Sequence, residues 1–306
     1  MVKKIFLDDG LSEELSDMWS KDVSRAFGAT ESDKNMLSQL AQLSDLEIVG
    51  TQFFCQKICS QLKSEVVSDT TILEIKDLQD KRETKKKAED IAKINDQIAN
   101  KIRPHVLELG KTSVDIAMFG RMLASSPEYN IEAAVQVAHA ITVNQVKIED
   151  DFFTAVDDLN KHDEDSGAGH MGEAGFGSGI FYLYLCINKT QLINNLQDEA
   201  LASQAIQALI ETAAKVSPTG KQNSFASRTY TSYLLAEKGT QQPRSLSVAF
   251  LKAVKGDDPM GIAITALENQ RNHFDAVYGS CADSQQSMNA QTGQGSLSTI
   301  LQFVAG

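Results

Sequence analysis

Residues 179–188, Gly179-Ile-Phe-Tyr-Leu-Tyr-Leu-Cys-Ile-Asn188, hold aromatic and branched apolar side chains in one short unbroken run. A run of this length and composition fits a strand better than a helix. A strand needs partners, and the preceding sequence offers two. Over 114–119 the residues alternate, with Val114, Ile116 and Met118 on one face and Asp115, Ala117 and Phe119 on the other. Residues 139–146 alternate again. Between them Pro127 and Asn130 mark a break, and Ile131, Ala134, Val135 and Ala138 recur at helical spacing. The expectation is a sheet carrying one helix. Residues 147–178 combine acids with Gly167, Gly169, Gly172, Gly175 and Gly177, so they are expected as a projecting or mobile loop between two strands.

Residues 1–110 read as helical. Leu11, Leu15, Trp19 and Val23 form one apolar face of a helix over 11–27, which Gly28 ends. Further helices are expected over 35–46, 47–67 and 73–102, with Pro104 breaking the last. Lys81, Arg82, Lys85, Lys86 and Lys87 cluster inside that longest helix. Interspersed with Glu83, Glu89 and Asp90, they read as a solvated face, and an RNA contact is the alternative. Near residue 110 charged helical sequence gives way to strand-like sequence, so a helical subdomain over 1–110 is expected before a mixed part over 111–306. Beyond the 179–188 run, Thr190 is placed to cap a helix, 227–235 reads as a strand, and 245–255 and 260–278 read as helices. The tail from Gly279 is polar and expected to be partly mobile, with Leu297, Ile300, Leu301 and Val304 docking as a last helix.

Composition limits the function classes. No apolar run approaches the ~18 residues of a membrane span, and the first ten residues are too polar for a signal-peptide core, so the expected compartment is the cytoplasm. Cys55 and Cys59 share a helix face, but Cys186 and Cys281 are isolated and no CxxC occurs; buried free thiols are expected rather than a metal site. The net charge of -12 opposes nucleic-acid binding. Nine acids against one lysine over 149–173 account for -8 of it, however, leaving -4 for the rest of the chain. Lys215, Lys221, Arg228, Lys238 and Arg244 oppose only Glu237. An acidic chain can still carry a local basic surface.

Candidate chemistry is sparse. Asp150, Asp151, Asp157, Asp158, His162, Asp163, Asp165 and His170 offer metal ligands or an acid–base pair, but they lie among glycines without HExxH-type spacing. A solvated acidic loop is the plainer reading. No GxSxG or Walker A loop is present, and Gly175-Phe-Gly-Ser-Gly179 lacks the lysine and helix of a phosphate loop. Phe152 and Phe153 are adjacent aromatics amid acids, and an extended segment cannot turn both toward one core. They are either a hydrophobic plug or a stacking surface for bases. Arg121 suits a phosphate or a salt bridge to Asp115, Met122 suits core or an adaptable contact, and His139 reads as a structural, half-buried histidine.

Four motifs occur in order: Asp115-Ile-Ala-Met-Phe-Gly-Arg-Met122, Ala138-His-Ala-Ile-Thr142, Asp151-Phe-Phe-Thr-Ala-Val-Asp-Asp158 and Ser178-Gly-Ile-Phe-Tyr182. Together they resemble the CasC family, the repeated backbone subunit of the type I-E CRISPR Cascade complex, with weaker similarity through Lys221-Gln-Asn-Ser-Phe-Ala226 to Val248-Ala-Phe-Leu-Lys-Ala253. The resemblance implies an α+β fold: an RNA-recognition-like palm over 111–146 and 179–306, helical fingers over 1–110 and an inserted thumb over 147–178. It implies a non-catalytic scaffold without cofactor or metal, polymerised along CRISPR RNA for antiviral surveillance. Its partners would be copies of itself, other Cascade subunits and, through the guide, target DNA. RNA contacts would come from Arg121, Met122, Phe152, Phe153, Thr154 and Lys221. Residues 1–30 do not match the family's first palm strand or its lysine motif, so the chain is expected to lack the usual N-terminal segment. The alternatives are a metal-dependent hydrolase built on the acidic 149–170 stretch, or a truncated remnant without RNA binding.

Overall fold

The computed structural model describes residues 1–28, 45–64, 66–107, 112–123, 126–155 and 170–306. Two compact units are formed, one from Met1–Gln136 with Ile187–Ala205, the other from Val137–Cys186 with Ile206–Gly306. The first boundary between them falls within a strand, at 136/137.

The first unit is mostly helical: α1 (Val2–Asp8), α2 (Glu13–Arg25), α3 (Asp45–Lys63), α4 (Thr70–Glu83), α5 (Ala88–Val106), α6 (Val114–Phe119), a 3-10 turn at Pro127–Tyr129, and later α7 (Lys189–Leu196) and the start of α8 (Glu199–Lys215). Its core holds Phe6, Trp19, Val23, Ile58, Ile72, Ile75, Ile98 and Ile102, all fully buried. The expected helix face of Trp19 and Val23 is part of this core, while Leu15 stays partly exposed. The single helix expected over 73–102 is two, separated at Thr84–Lys87. An ion pair joins Glu74 to Lys101, and Arg82 donates to Asn95 at 2.9 Å, so α4 and α5 run antiparallel. Asp22 on α2 is fully buried and receives both terminal nitrogens of Arg82, at 2.5 and 3.0 Å, with Gln79 and Arg25 also donating. Arg82, placed by sequence in a solvated charge run, is therefore a core ion-pair partner. Pro104 does not break α5 at once; it removes one N–H from the ladder of the last turn, and the helix ends two residues later at Val106. The helix expected over 35–46 lies outside the described residues, apart from the start of α3.

Further expectations in this part of the chain are corrected. Residues 114–119 form helix α6, not a strand. Ile116, Ala117 and Met118 are all buried, which suits consecutive positions of a short docked helix and not one face of a pleat. Gly120 ends α6 at φ 76°, and a Cβ there would lie 2.9 Å from the Ile131 carbonyl oxygen, so only glycine allows this close approach. Residues 131–138 are not a helix. Ile131 forms an antiparallel bridge with Arg121, and β1 (Val135–Val137) follows. The helix after the 179–188 run is also split. Asn188, not Thr190, caps α7 by accepting from the Gln191 N–H at 2.9 Å, and Gln197 at φ 56° separates it from α8.

In the second unit β2 (Ile141–Thr142), β3 (Ile148–Ala155), β4 (His170–Gly177) and β5 (Phe181–Tyr182) build a nested antiparallel ribbon. Its register runs from Thr142 opposite Phe181 through Ile148 opposite Gly177 to Ala155 opposite His170. The expected loop is thus partly regular strand: backbone pairing is satisfied across the ribbon despite the acids and glycines. The expected continuous strand over 179–188 is interrupted, with β6 (Leu185–Ile187) following β5 after Leu183 and Tyr184. The remainder comprises α9 (Gln222–Phe225), β7 (Tyr233–Lys238), a 3-10 turn at Ser247–Phe250, α10 (Pro259–Tyr278), β8 (Ser284–Asn289) and α11 (Leu297–Ala305). The strand expected at 227–235 begins only at Tyr233, and the helix expected over 245–255 is only the short 3-10 turn. The tail is ordered as β8, antiparallel to β7 with Tyr233 opposite Asn289, and α11 forms as expected.

Candidate nucleic-acid interface

Phe152 and Phe153 lie on β3 opposite Glu173 and Gly172 of β4. In a two-stranded ribbon the side chains alternate between its two faces. Phe152 is 62% exposed and Phe153 43%. The Phe153 ring lies across Gly172, where a Cβ would approach it to 2.8 Å. The missing side chain of Gly172 lets this ring lie on the ribbon, while Phe152 takes the opposite face. Thr154, Asp150 and Asp151 are exposed beside them.

The root of the ribbon is fastened. Phe176 on β4 tilts against Phe225 of α9 with ring centroids 5.1 Å apart. Lys221 precedes α9 in the left-handed region at φ 56° and is exposed. Tyr182 accepts a hydrogen bond from the Leu246 N–H at 3.1 Å and packs on Phe250 at 5.5 Å. Arg244 bridges Glu237 at 2.8 Å and Asp275 at 2.9 Å, so it belongs to the scaffold and not to a free basic surface.

In the first unit Arg121 is buried. One terminal nitrogen lies 2.6 Å from both carboxylate oxygens of Glu47, the other donates to the Tyr129 carbonyl at 3.2 Å, and both side chains are 4% exposed. Its partner is therefore not Asp115, and its guanidinium is not presented to a phosphate. Sequence reading missed Glu47 because it lies 74 positions away. The Arg121 and Ile131 backbones exchange two hydrogen bonds of 2.9 Å, and the neighbouring Met122 is 77% exposed. His139 is exposed, not half-buried.

Cys55 and Cys59 are buried on α3, and burial pushes their thiols up to about 12 and about 11, which keeps them protonated and unreactive. Asp157, Asp158, His162, Asp163 and Asp165 lie outside the described residues. Among the described residues no group of three or more His, Cys, Asp or Glu could hold a metal ion, and no helix is long and apolar enough to cross a membrane.

Among the solved structures that share this architecture are two chains of CRISPR surveillance complexes. One, a chain of a CRISPR RNA-guided surveillance complex described as pre-nicking, aligns over 99% of this chain and 81% of its own at a TM-score of 0.68 and 24% identity. The other, from a CRISPR RNA-guided surveillance complex, aligns over 63% of this chain and 77% of its own at a TM-score of 0.54 and 32% identity. The mixed helical and small-sheet fold is thus one found in chains of such complexes. More narrowly, residues 2–302 match the profile of the CT1975-like proteins, and the chain belongs to that family. None of the curated proteins compared with it matches.

Proposed function

We propose that this chain is a non-catalytic, RNA-binding scaffold subunit of a Cascade-type CRISPR surveillance complex, the repeated type I-E backbone subunit. The observation that carries the reading is the ribbon: two adjacent aromatics on a two-stranded projection, with Phe152 mostly exposed. An aromatic kept in water without a core to join is suited to stacking on bases, which accepts any sequence. Family membership and the likeness to surveillance-complex chains support the same assignment. In this reading the ribbon is the thumb. The antiparallel strands and the helices around them make an RNA-recognition-like palm, and the N-terminal helices make the fingers. Lys221 and Thr154 meet the RNA backbone, and Met122 provides an adaptable apolar contact. Arg121 acts structurally, through Glu47. Partners are CRISPR RNA, further copies of the chain and other Cascade subunits, with target DNA read by the guide.

The test is reconstitution with CRISPR RNA and the companion subunits. The reading expects sequence-tolerant binding and protection of the RNA from nuclease, both lost in the Phe152→Ala/Phe153→Ala variant. Protection unchanged by that variant would remove the stacking assignment. Metal-dependent cleavage of RNA or DNA by the purified chain would overturn the non-catalytic part.

A further inference from the structure

A second open feature lies in the 215–230 segment of the second unit. After α8 the chain leaves at Lys215, runs out through α9 and returns at Tyr230. The two limbs are clamped together. Thr231 N–H donates to the Ala214 carbonyl at 2.9 Å, and Ser217 Oγ accepts from Thr229 N–H at 2.9 Å while donating to its carbonyl at 3.1 Å. Gln222 crosses the loop to the carbonyls of Pro218 and Ser227, at 2.6 and 3.0 Å. This bracing holds open a cleft of about 530 Å³ lined by Lys215, Val216, Ser217, Thr219, Arg228 and Tyr230. Its volume lies within the range of small-molecule sites, roughly 300–1,000 Å³.

The lining is selective in chemistry. Lys215 is held by Glu211 at 2.6 Å, so part of its charge is compensated. Arg228 is exposed, and no carboxylate among the described residues forms an ion pair with it. Tyr230 is 76% exposed on the same cleft. A braced wall thus presents an uncompensated guanidinium, a second cation and an aromatic side chain within one opening. A phosphate alone would use the cations and leave the ring idle, and an apolar peptide would use the ring and leave Arg228 unmatched. A nucleotide uses both.

We infer that this cleft holds one nucleotide of single-stranded nucleic acid, its phosphate on Arg228 and its base against Tyr230. The inference rests on the RNA-binding reading for the source of the strand, and adds a contact away from the aromatics of the ribbon. Fluorescence anisotropy of the full chain with labelled ten-nucleotide oligo(U) and oligo(dT) tests it. Arg228→Gln and Tyr230→Ala should each weaken binding about 5-fold or more, as one lost stack or one lost phosphate contact would. Arg228→Gln should also flatten the plot of log affinity against log salt by about 0.7, the share of one single-strand phosphate. Tyr230→Phe should bind as wild type does. Photocrosslinking of 4-thiouridine RNA to the wild-type chain should mark the peptide containing Tyr230, which decides the matter even where a variant folds poorly. Weakening confined to oligo(U) identifies the strand as guide RNA; equal weakening on oligo(dT) admits a displaced DNA strand. Unchanged affinity and slope in both variants, with crosslinks elsewhere, would overturn the cleft and leave the scaffold reading standing. Failure of the wild-type chain to bind either oligonucleotide would overturn both.

Discussion

At the residue scale the charges that sequence offers for binding are sorted by burial. Arg121 and Glu47 are a buried pair with the Tyr129 carbonyl as a further acceptor for the guanidinium, so removing one member strands the other charge. Glu47→Ala should therefore cost about 3–5 kcal/mol in chemical denaturation, while an apolar pair replacing both residues should cost much less. A loss below about 1 kcal/mol, the level of an exposed pair, would contradict the buried geometry. Asp69 gives a pH signature. Its carboxyl is held below the usual value of 3.8 by a hydrogen bond from Lys57 and then by the Ile72 N–H at the start of α4. The lowered pKa means its contribution is fully present above pH ~4 and fades as the pH drops through the folded value. Asp69→Asn should melt below wild type at pH 7, with the gap narrowing as the pH is taken below about 4 in a thermal-melt series. Neither contact was legible in sequence as a partner choice. Arg121 stands out beside Met122, but Glu47 belongs to another helix, and only packing selects it over the nearer Asp115.

At the scale of elements, legibility followed the strength of the local pattern. The face of Trp19 and Val23, the 260–278 helix and the C-terminal helix were readable because apolar spacing and capping residues agree, as with Asp258 accepting from Gly261 N–H at 3.0 Å. Strands β3 and β4 were not readable. Their acids and glycines lower strand propensity, and what forms them is pairing with each other, a nonlocal term that a window cannot contain. Residues 114–119 failed for the converse reason: six residues are too few to separate a period of two from 3.6. The ribbon makes a direct prediction. Phe152→Ala/Phe153→Ala should melt close to wild type, because neither ring is enclosed, and a drop of the several kcal/mol typical of emptied cores would show a plug instead. Gly172→Ala should push the Phe153 ring off the strand, seen as loss of its ring-current shift on the ribbon's backbone protons in NMR spectra. Unchanged shifts would mean that the ring does not rest there.

At the scale of the whole molecule, an acidic chain that binds RNA must do so with few cations. The structure narrows them further: Arg82, Arg121, Lys215 and Arg244 all sit in ion pairs, while Lys147, Lys221, Arg228, Lys252 and Lys255 are exposed in the second unit; of these, Lys221 and Arg228 are the ones assigned to RNA. Each single-strand phosphate neutralised adds about 0.7 to the salt slope, so these two assigned contacts should contribute about -1.4 per chain, a share lost when both are neutralised by substitution. Glu149, Asp150, Asp151 and Glu173 border the ribbon's aromatics and repel the same phosphates. Their effect acts through space, so it should vanish once the Debye length falls to about 3 Å in molar salt. Replacing Glu149, Asp150 and Asp151 by their amides should therefore tighten binding of oligo(U) in dilute buffer and leave it unchanged near 1 M salt. A gain that persists at high salt would instead mean that the amides make new contacts. No gain at any salt would mean that RNA does not approach this ribbon, and the stacking role of Phe152 would fall with it.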